Sequence, residues 1–276
     1  DLLRSFFLSK GFYEVHTQNR LSILAACEDP ETVATYNYGD NVWPLPQTGQ
    51  MWLEYELLTR PEIPGCFCVS TSYRQEQNPT EGRHELIFPM FEFEAPGDFE
   101  DLLKLENDLC LHLGFSCDHK RAAYNDLDFP GGMYDGVRAK YCVDELEAKQ
   151  EGELYEEYGD VFFLTRFPQS TSPFWNMKIE GKSASGEILA NKCDVIMGGM
   201  ETIGSAERAT DVEEMKSQFY TISDGGYADL LFNLFGKERV EAELDEFLKH
   251  NFIPRFGGGI GVTRMISAMK RAKLII

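Results

Sequence analysis

Residues 66–94 constrain the fold more than any other part of the chain. Cys66 to Gln75 reads as a strand, Gln77 to His84 is polar and carries Pro79 and Gly82, and Leu86 to Glu94 is strand-like again. That order predicts an antiparallel hairpin with a long connection. Successive side chains of a strand point to opposite faces. Ser72, Arg74 and Glu76 therefore share one face of the first strand, and Phe88, Met90, Glu92 and Glu94 share one face of the second. Phe91 and Phe93 point the other way, into a core. A sheet face bearing arginine, glutamate and phenylalanine opposite an apolar face is costly unless something polar binds there.

The rest of the chain supplies helices and further strands. Leu2, Leu3, Phe6 and Phe7 recur at helical spacing ahead of Gly11, and Phe12 to Thr17 reads as a strand. Residues 20–42 read as irregular and 50–58 as a helix. Asp98 to Leu113 is a helix with Phe99, Leu102, Leu103, Leu109 and Leu113 on one side and Gly114 at its end. Val161–Leu164, Phe174–Ile179 and Lys192–Met197 read as short strands. Asp211 opens a helix, with Glu214 placed as in a capping box. Helices follow near Tyr227–Phe235 and Glu238–His250. Phe256 to Arg264 then leads into an amphipathic helix. These elements predict an α+β fold, a mainly antiparallel β-sheet flanked by helices, as one domain over residues 1–276.

Composition narrows the function. With 26 Lys and Arg against 46 Asp and Glu, the formal net charge is −20. General nucleic-acid binding needs a basic surface, so extensive phosphate contact is disfavoured. The acidic excess peaks at 141–160, which reads as a solvated helix face. The seven cysteines form no repeated CxxC pairs, which suits reduced thiols in a cytoplasmic protein. His112, Cys117 and His119 do not have a zinc-ligand spacing. No apolar run is long enough for a membrane span.

Several segments, in order, resemble the class II aminoacyl-tRNA synthetases of the aspartate/asparagine branch. FFLSKGFYEVHT is similar to motif 1, although Gln18 and Asn19 stand where the family has a proline. TSYRQEQNPTEGRHELIFPMFEFE (71–94) is similar to motif 2 over its whole length. GGGIGVTR (257–264) resembles motif 3, with Thr263 in place of the usual acidic residue. CDVIMGGMETIGSAER (193–208) resembles the asparaginyl segment that carries a glutamate before Ile-Gly and then an arginine. The likeness implies ATP-dependent, AMP-forming ligase chemistry through an aminoacyl-adenylate, with Mg²⁺, in a homodimer whose interface includes motif 1.

The resemblance also implies roles. In adenylate formation charge builds on phosphate oxygens, which fixed cations and metal must meet. Arg74 would grip the α-phosphate and Arg264 the far phosphate; Arg83 and His84 would meet the β- and γ-phosphates. Glu76 joins the ATP site. Phe88 offers adenine a flat face, with Arg264 over its other side. Gly259 and Gly261 let the backbone approach the adenosine. Asp194 and Glu201 are hard oxygen ligands for Mg²⁺. Glu92 would hold the substrate's α-ammonium.

The segment LPQTGQMWLE (45–54) sits where the family reads the amino-acid side chain, which assigns Gln47, Gln50 and Glu54 to that pocket. Glu54 would accept from a carboxamide and repel a carboxylate, favouring asparagine, while Lys249 just ahead of motif 3 would favour aspartate. The family's anticodon-binding barrel is not among the 276 residues. With the net charge of −20, this favours ammonia or another small nucleophile as acceptor, as in an asparagine synthetase. The alternatives are tRNA charging and a non-catalytic sensor of amino acid and ATP.

Overall fold

The computed structural model describes residues 1–17, 21–24, 28, 30–79, 85–116, 123–171, 174–183 and 185–276. In chain order the elements are α1 (Leu2–Ser9), β1 (Tyr13–Glu14), β2 (Thr35–Tyr38), β3 (Asn41–Pro44), α2 (Gln50–Thr59), β4 (Cys66–Tyr73), β5 (Ile87–Pro96) and α3 (Phe99–His112). Next come β6 (Gly131–Met133), α4 (Tyr134–Tyr141), α5 (Ala148–Tyr158), β7 (Val161–Pro168), β8 (Ile179–Lys182), β9 (Ile188–Met197) and β10 (Met200–Glu207). The chain closes with α6 (Val212–Thr221), α7 (Gly226–Phe235), α8 (Lys237–Phe247), β11 (Arg255–Gly261) and α9 (Val262–Arg271). No described helix is long and apolar enough to cross a membrane.

Nine strands form one sheet in the order β1-β4-β5-β11-β10-β9-β7-β6, with β8 added beside β9. All pairings are antiparallel except β1 with β4 and β6 with β7 at the two ends. The hairpin expected at 66–94 is β4–β5, and the glycine-rich strand β11 lies against β5, pairing Gly257 with Glu94 and Gly259 with Glu92. Gly257 is demanded by close approach: a Cβ there would fall 1.6 Å from Glu94 Oε2.

One sheet face buries the core against α1, α3 and α9. Phe91 and Phe93 point into it as their alternation requires, and Phe7 packs on both, with ring centroids 5.1 and 5.2 Å away. Each such buried phenylalanine contributes about 2 kcal/mol. The α3 cap is reciprocal: Asp98 accepts from the Glu100 and Asp101 amides, and the Asp101 side chain accepts from the Asp98 amide. At α6 the Asp211 side chain accepts from the Glu214 amide. A second core of aromatic residues lies under α6, α7 and α8, centred on Trp175, Phe219 and Phe247.

Three local expectations change. Residues 35–44 form a β2–β3 hairpin whose two-residue turn, Gly39 and Asp40, has both φ values positive at 58° and 61°. The strand expected at Phe174–Ile179 starts only at Ile179. Phe174, Trp175 and Met177 are all buried in the second core rather than alternating across a sheet. The strand expected over Phe12–Thr17 shrinks to the two residues of β1.

The apolar core also encloses one carboxyl group. Glu106 of α3 is fully buried, and neither oxygen has a hydrogen-bond partner among the described residues. Burial pushes its pKa up to about 8, opposed by nearby Ser205 and Cys193. The folded state therefore holds the proton while the unfolded chain releases it near 4.5. The associated stability is fully present below that value and is lost as pH rises to about 8. Glu106→Gln is expected to flatten this dependence and to stabilise the protein above pH ~8 by on the order of 4 kcal/mol. Urea unfolding on both sides of that pH is the check, and parallel pH profiles for the two proteins would refute it.

Candidate active site

The other face of the sheet forms the floor of a cavity of about 1140 Å³. Arg74, Glu76 and Phe88 line it from β4–β5, Asp194 from β9, Glu201 from β10, and Gly259, Gly261 and Arg264 from β11–α9. Gln47 lines it from the segment before α2. Nine of the expected site residues thus meet on one surface. Arg83 and His84 lie outside the described residues, as do Cys117 and His119.

Arg74 follows directly on β4, held by a backbone bridge to Val33. Its guanidinium stands 5.6 Å from the Phe88 ring centroid and 3.9 Å from a Glu76 carboxylate oxygen. Arg74 Nε is buried with no hydrogen-bond partner among the described residues, an arrangement that suits an incoming anionic ligand. Arg264, in the first turn of α9, donates to the Glu201 carbonyl at 2.8 Å, with the Glu201 carboxylate 3.9 Å away.

The two expected metal ligands converge because of a bulge. The β10–β9 register pairs Gly204 with Asp194, then slips by one residue between Ile203 and Glu201, which pairs with Ile196. Strict alternation would send Glu201 to the face of Ile203; the slip returns it to the face of Asp194. Gly204 keeps the space between them open: a Cβ there would lie 2.9 Å from Glu201 Oε1 and 3.6 Å from Asp194 Oδ1. Asp194 Oδ1 has no hydrogen-bond partner among the described residues, while Oδ2 accepts from Lys192 Nζ at 2.7 Å. Burial pushes the Asp194 carboxyl up, Lys192 opposes the shift and Glu201 adds to it. Among the described residues no three His, Cys, Asp or Glu side chains form a closed metal site. Two hard oxygens fit Mg²⁺ when phosphate and water complete the shell.

Four expected substrate residues take other positions. Glu92 is buried against the turn before α2. Its carboxylate accepts from the Gly49 amide at 2.9 and 3.1 Å and from Ser70 Oγ at 2.5 Å, so it anchors the 47–49 turn at the helix N-terminus. Burial raises its pKa against these hydrogen bonds. Glu54 accepts from Arg255 at 2.5 and 3.1 Å and from Asn176 at 2.9 Å, wholly buried beneath the cavity. Gln50, with its amide assigned by its neighbours, accepts from Arg208 at 2.5 Å and from the Gly258 amide at 2.9 Å. Lys249, 71% exposed, pairs with Glu246 at 2.7 Å beyond the end of α8 and does not reach the cavity.

The structure adds three lining residues that received no role from the sequence. Arg208 lies under the floor, held by Glu94 through two contacts of 3.2 Å. It ends the 193–208 segment, so its motif position marked it. Lys192 shares the face of Asp194, as a spacing of two in a strand requires. Glu151, from the acidic stretch taken as solvated, turns inward and accepts from the Glu201 amide at 3.2 Å.

Residues 1–275 match the family described as tRNA synthetases class II (D, K and N). The chain belongs to that family. The asparagine–tRNA ligase of Pyrococcus furiosus is 25% identical over 287 residues, covering 96% of this chain and 61% of the relative. The aspartate–tRNA(Asp) ligase of Pyrobaculum aerophilum is 21% identical over 284 residues, covering 97% and 61%. Among solved structures, asparaginyl-tRNA synthetase from Pyrococcus horikoshii complexed with asparaginyl-adenylate superposes with a TM-score of 0.74 at 22% identity, over 98% of this chain and 63% of that one. The shared fold is the class II synthetase sheet. This chain thus spans about 61% of the length of the curated relatives it matches.

Proposed function

We propose that this chain activates asparagine with ATP, forming an asparaginyl-adenylate and pyrophosphate, and that the protein passes the asparaginyl group to tRNA. The observation that carries the proposal is the meeting of Arg74, Arg264, Phe88 and the Asp194–Glu201 pair on one sheet face. Adenine stacks on Phe88 and the phosphates lie along Arg74 and Arg264. The amino-acid carboxylate attacks the α-phosphate, and Arg74 meets the charge that develops there. Among the described lining residues, four cations face eight carboxylates. A nucleotide polyanion therefore needs added positive charge, which Mg²⁺ supplies when bound at Asp194 and Glu201.

Asparagine is preferred to aspartate on electrostatic grounds. The Arg208 guanidinium is already paired with Glu94, and Glu54 lies 3.8 Å from it. A neutral carboxamide meets this compensated charge without loss, whereas a second carboxylate competes for it. tRNA is preferred to ammonia as acceptor because of what the similar proteins are named for. The similar proteins are named as tRNA ligases, and 276 residues matching 61% of their length do not speak for the remainder.

The test is ATP–pyrophosphate exchange with asparagine, aspartate and lysine, followed by charging of total tRNA and a parallel arm with ammonium. Asparagine-dependent exchange with tRNA charging is expected. Exchange with aspartate alone, and free asparagine formed from ammonium, would return the synthetase-to-ammonia reading. Binding of ATP and amino acid without exchange would favour a sensor.

The homodimer belongs to the same proposal. Phe6 and Phe7 of α1 turn into the core, while Leu2, Leu8 and Tyr13 are exposed around β1. Light scattering is expected to give twice the chain mass, and a monomer mass would count against this interface.

A further inference from the structure

Lys192 contacts one oxygen of the Asp194 carboxylate and leaves the other unpartnered among the described residues. Its ammonium lies 2.7 Å from Asp194 Oδ2 and 3.9 Å from the Phe167 ring centroid, with the side chain 14% exposed. It is clamped between a carboxylate and an aromatic face, both of which favour a cation. The adjacent Asp194 is 6% exposed, and its other oxygen, Oδ1, points to the opening above Gly204 that it shares with Glu201 Oε1. One carboxylate thus carries a permanent positive partner on one oxygen and an open coordination position on the other.

We propose that Lys192 is a built-in counter-cation which keeps the Asp194–Glu201 pair from holding a divalent ion before nucleotide arrives, so that the metal enters together with the polyphosphate. The inference rests on the reading of this pair as the metal side of the cavity. With Lys192 in place the three side chains carry a net charge of −1, since one positive group offsets two negative ones. That attraction is too weak to strip water from a hard divalent ion, which needs several anionic oxygens to compensate. The oxygens of a bound polyphosphate supply them.

The experiment uses Mn²⁺ as probe and reads its binding to the nucleotide-free protein by electron paramagnetic resonance, which requires no catalysis. Failure of amino-acid activation would thus leave this measurement interpretable. Lys192→Met removes the charge and keeps the stem. It is expected to bind Mn²⁺ at least about tenfold tighter than the wild type, because a repelling charge about 5 Å away is gone. Adding Asp194→Asn to that variant is expected to abolish the gain, and Lys192→Arg is expected to behave as wild type. Lys192→Gln serves as a second charge-removing variant if the Met protein loses its far-ultraviolet dichroism. Equal Mn²⁺ affinity in the wild type and both charge-removing variants would overturn the proposal. So would a gain that survives Asp194→Asn.

Discussion

Arg74→Ala is expected to abolish adenylate formation while leaving the fold unchanged. Arg74 sits just beyond the last ladder residue of β4, and its side chain lies on the cavity face rather than in the core. Its Nε is buried without a partner among the described residues, so its removal breaks no hydrogen bond that this atom makes in the free protein. What is lost is a charge-assisted contact made most strongly as charge gathers on the α-phosphate. Such a contact is worth about 3 kcal/mol or more, roughly two orders of magnitude in rate. Lysine restores the charge but not the planar fork, so Arg74→Lys should recover only part of the activity. Pyrophosphate exchange measured beside thermal unfolding separates the two effects. Activity within a few-fold of wild type, or a large fall in melting temperature, would each remove Arg74 from this role.

Glu54→Ala should act in the opposite way, on the fold first. Glu54, Glu94, Arg208 and Arg255 are all wholly buried and form a charge-balanced cluster under the cavity floor. Arg255 also donates to the Ala209 carbonyl at 3.0 Å, so it cannot swing to water when Glu54 is gone. An uncompensated guanidinium then remains in the interior. Breaking a buried pair in this manner costs about 3–5 kcal/mol, which for a chain of this size lowers the melting midpoint by roughly 10 °C. A loss under ~1 kcal/mol by denaturant titration would mean that water reaches the cluster. An intact buried pair of this kind is often no more stable than an apolar core; its interruption is what is costly.

The sequence alone carried the α+β class and the motif 2 hairpin, together with α3, α7, α8 and the strand–helix unit of β11 and α9. These rest on local regularities: period-two alternation in β5, the Asp98 cap, and the glycine run that ends at Arg264. For the same reason Arg74 could be placed on one face of its strand with Ser72 and Glu76, and Phe88 on one face of the next with Met90, Glu92 and Glu94, before any contact was known. The β2–β3 hairpin is not read from the sequence, where residues 20–42 look irregular, although Gly39 and Asp40 supply its positive-φ turn.

Tertiary structure decided the rest. Glu54, Glu92 and Gln50 carry polar groups of the kind that bind substrates, yet each is consumed by a partner far away in sequence: Arg255, the Gly49 amide and Arg208. Nothing near them in the chain announces that partner, because buried charge is satisfied through space and not along the sequence. Lys249 had the right charge and the wrong direction, since the end of α8 turns it to solvent beside Glu246. Glu201 reached Asp194 only through the one-residue slip in β10, which reverses every side chain beyond it and leaves no mark in composition or spacing. Local pattern sets which face a residue takes within an unbroken element. Where an element slips, ends or is met by a distant charge, only the folded chain decides which groups meet.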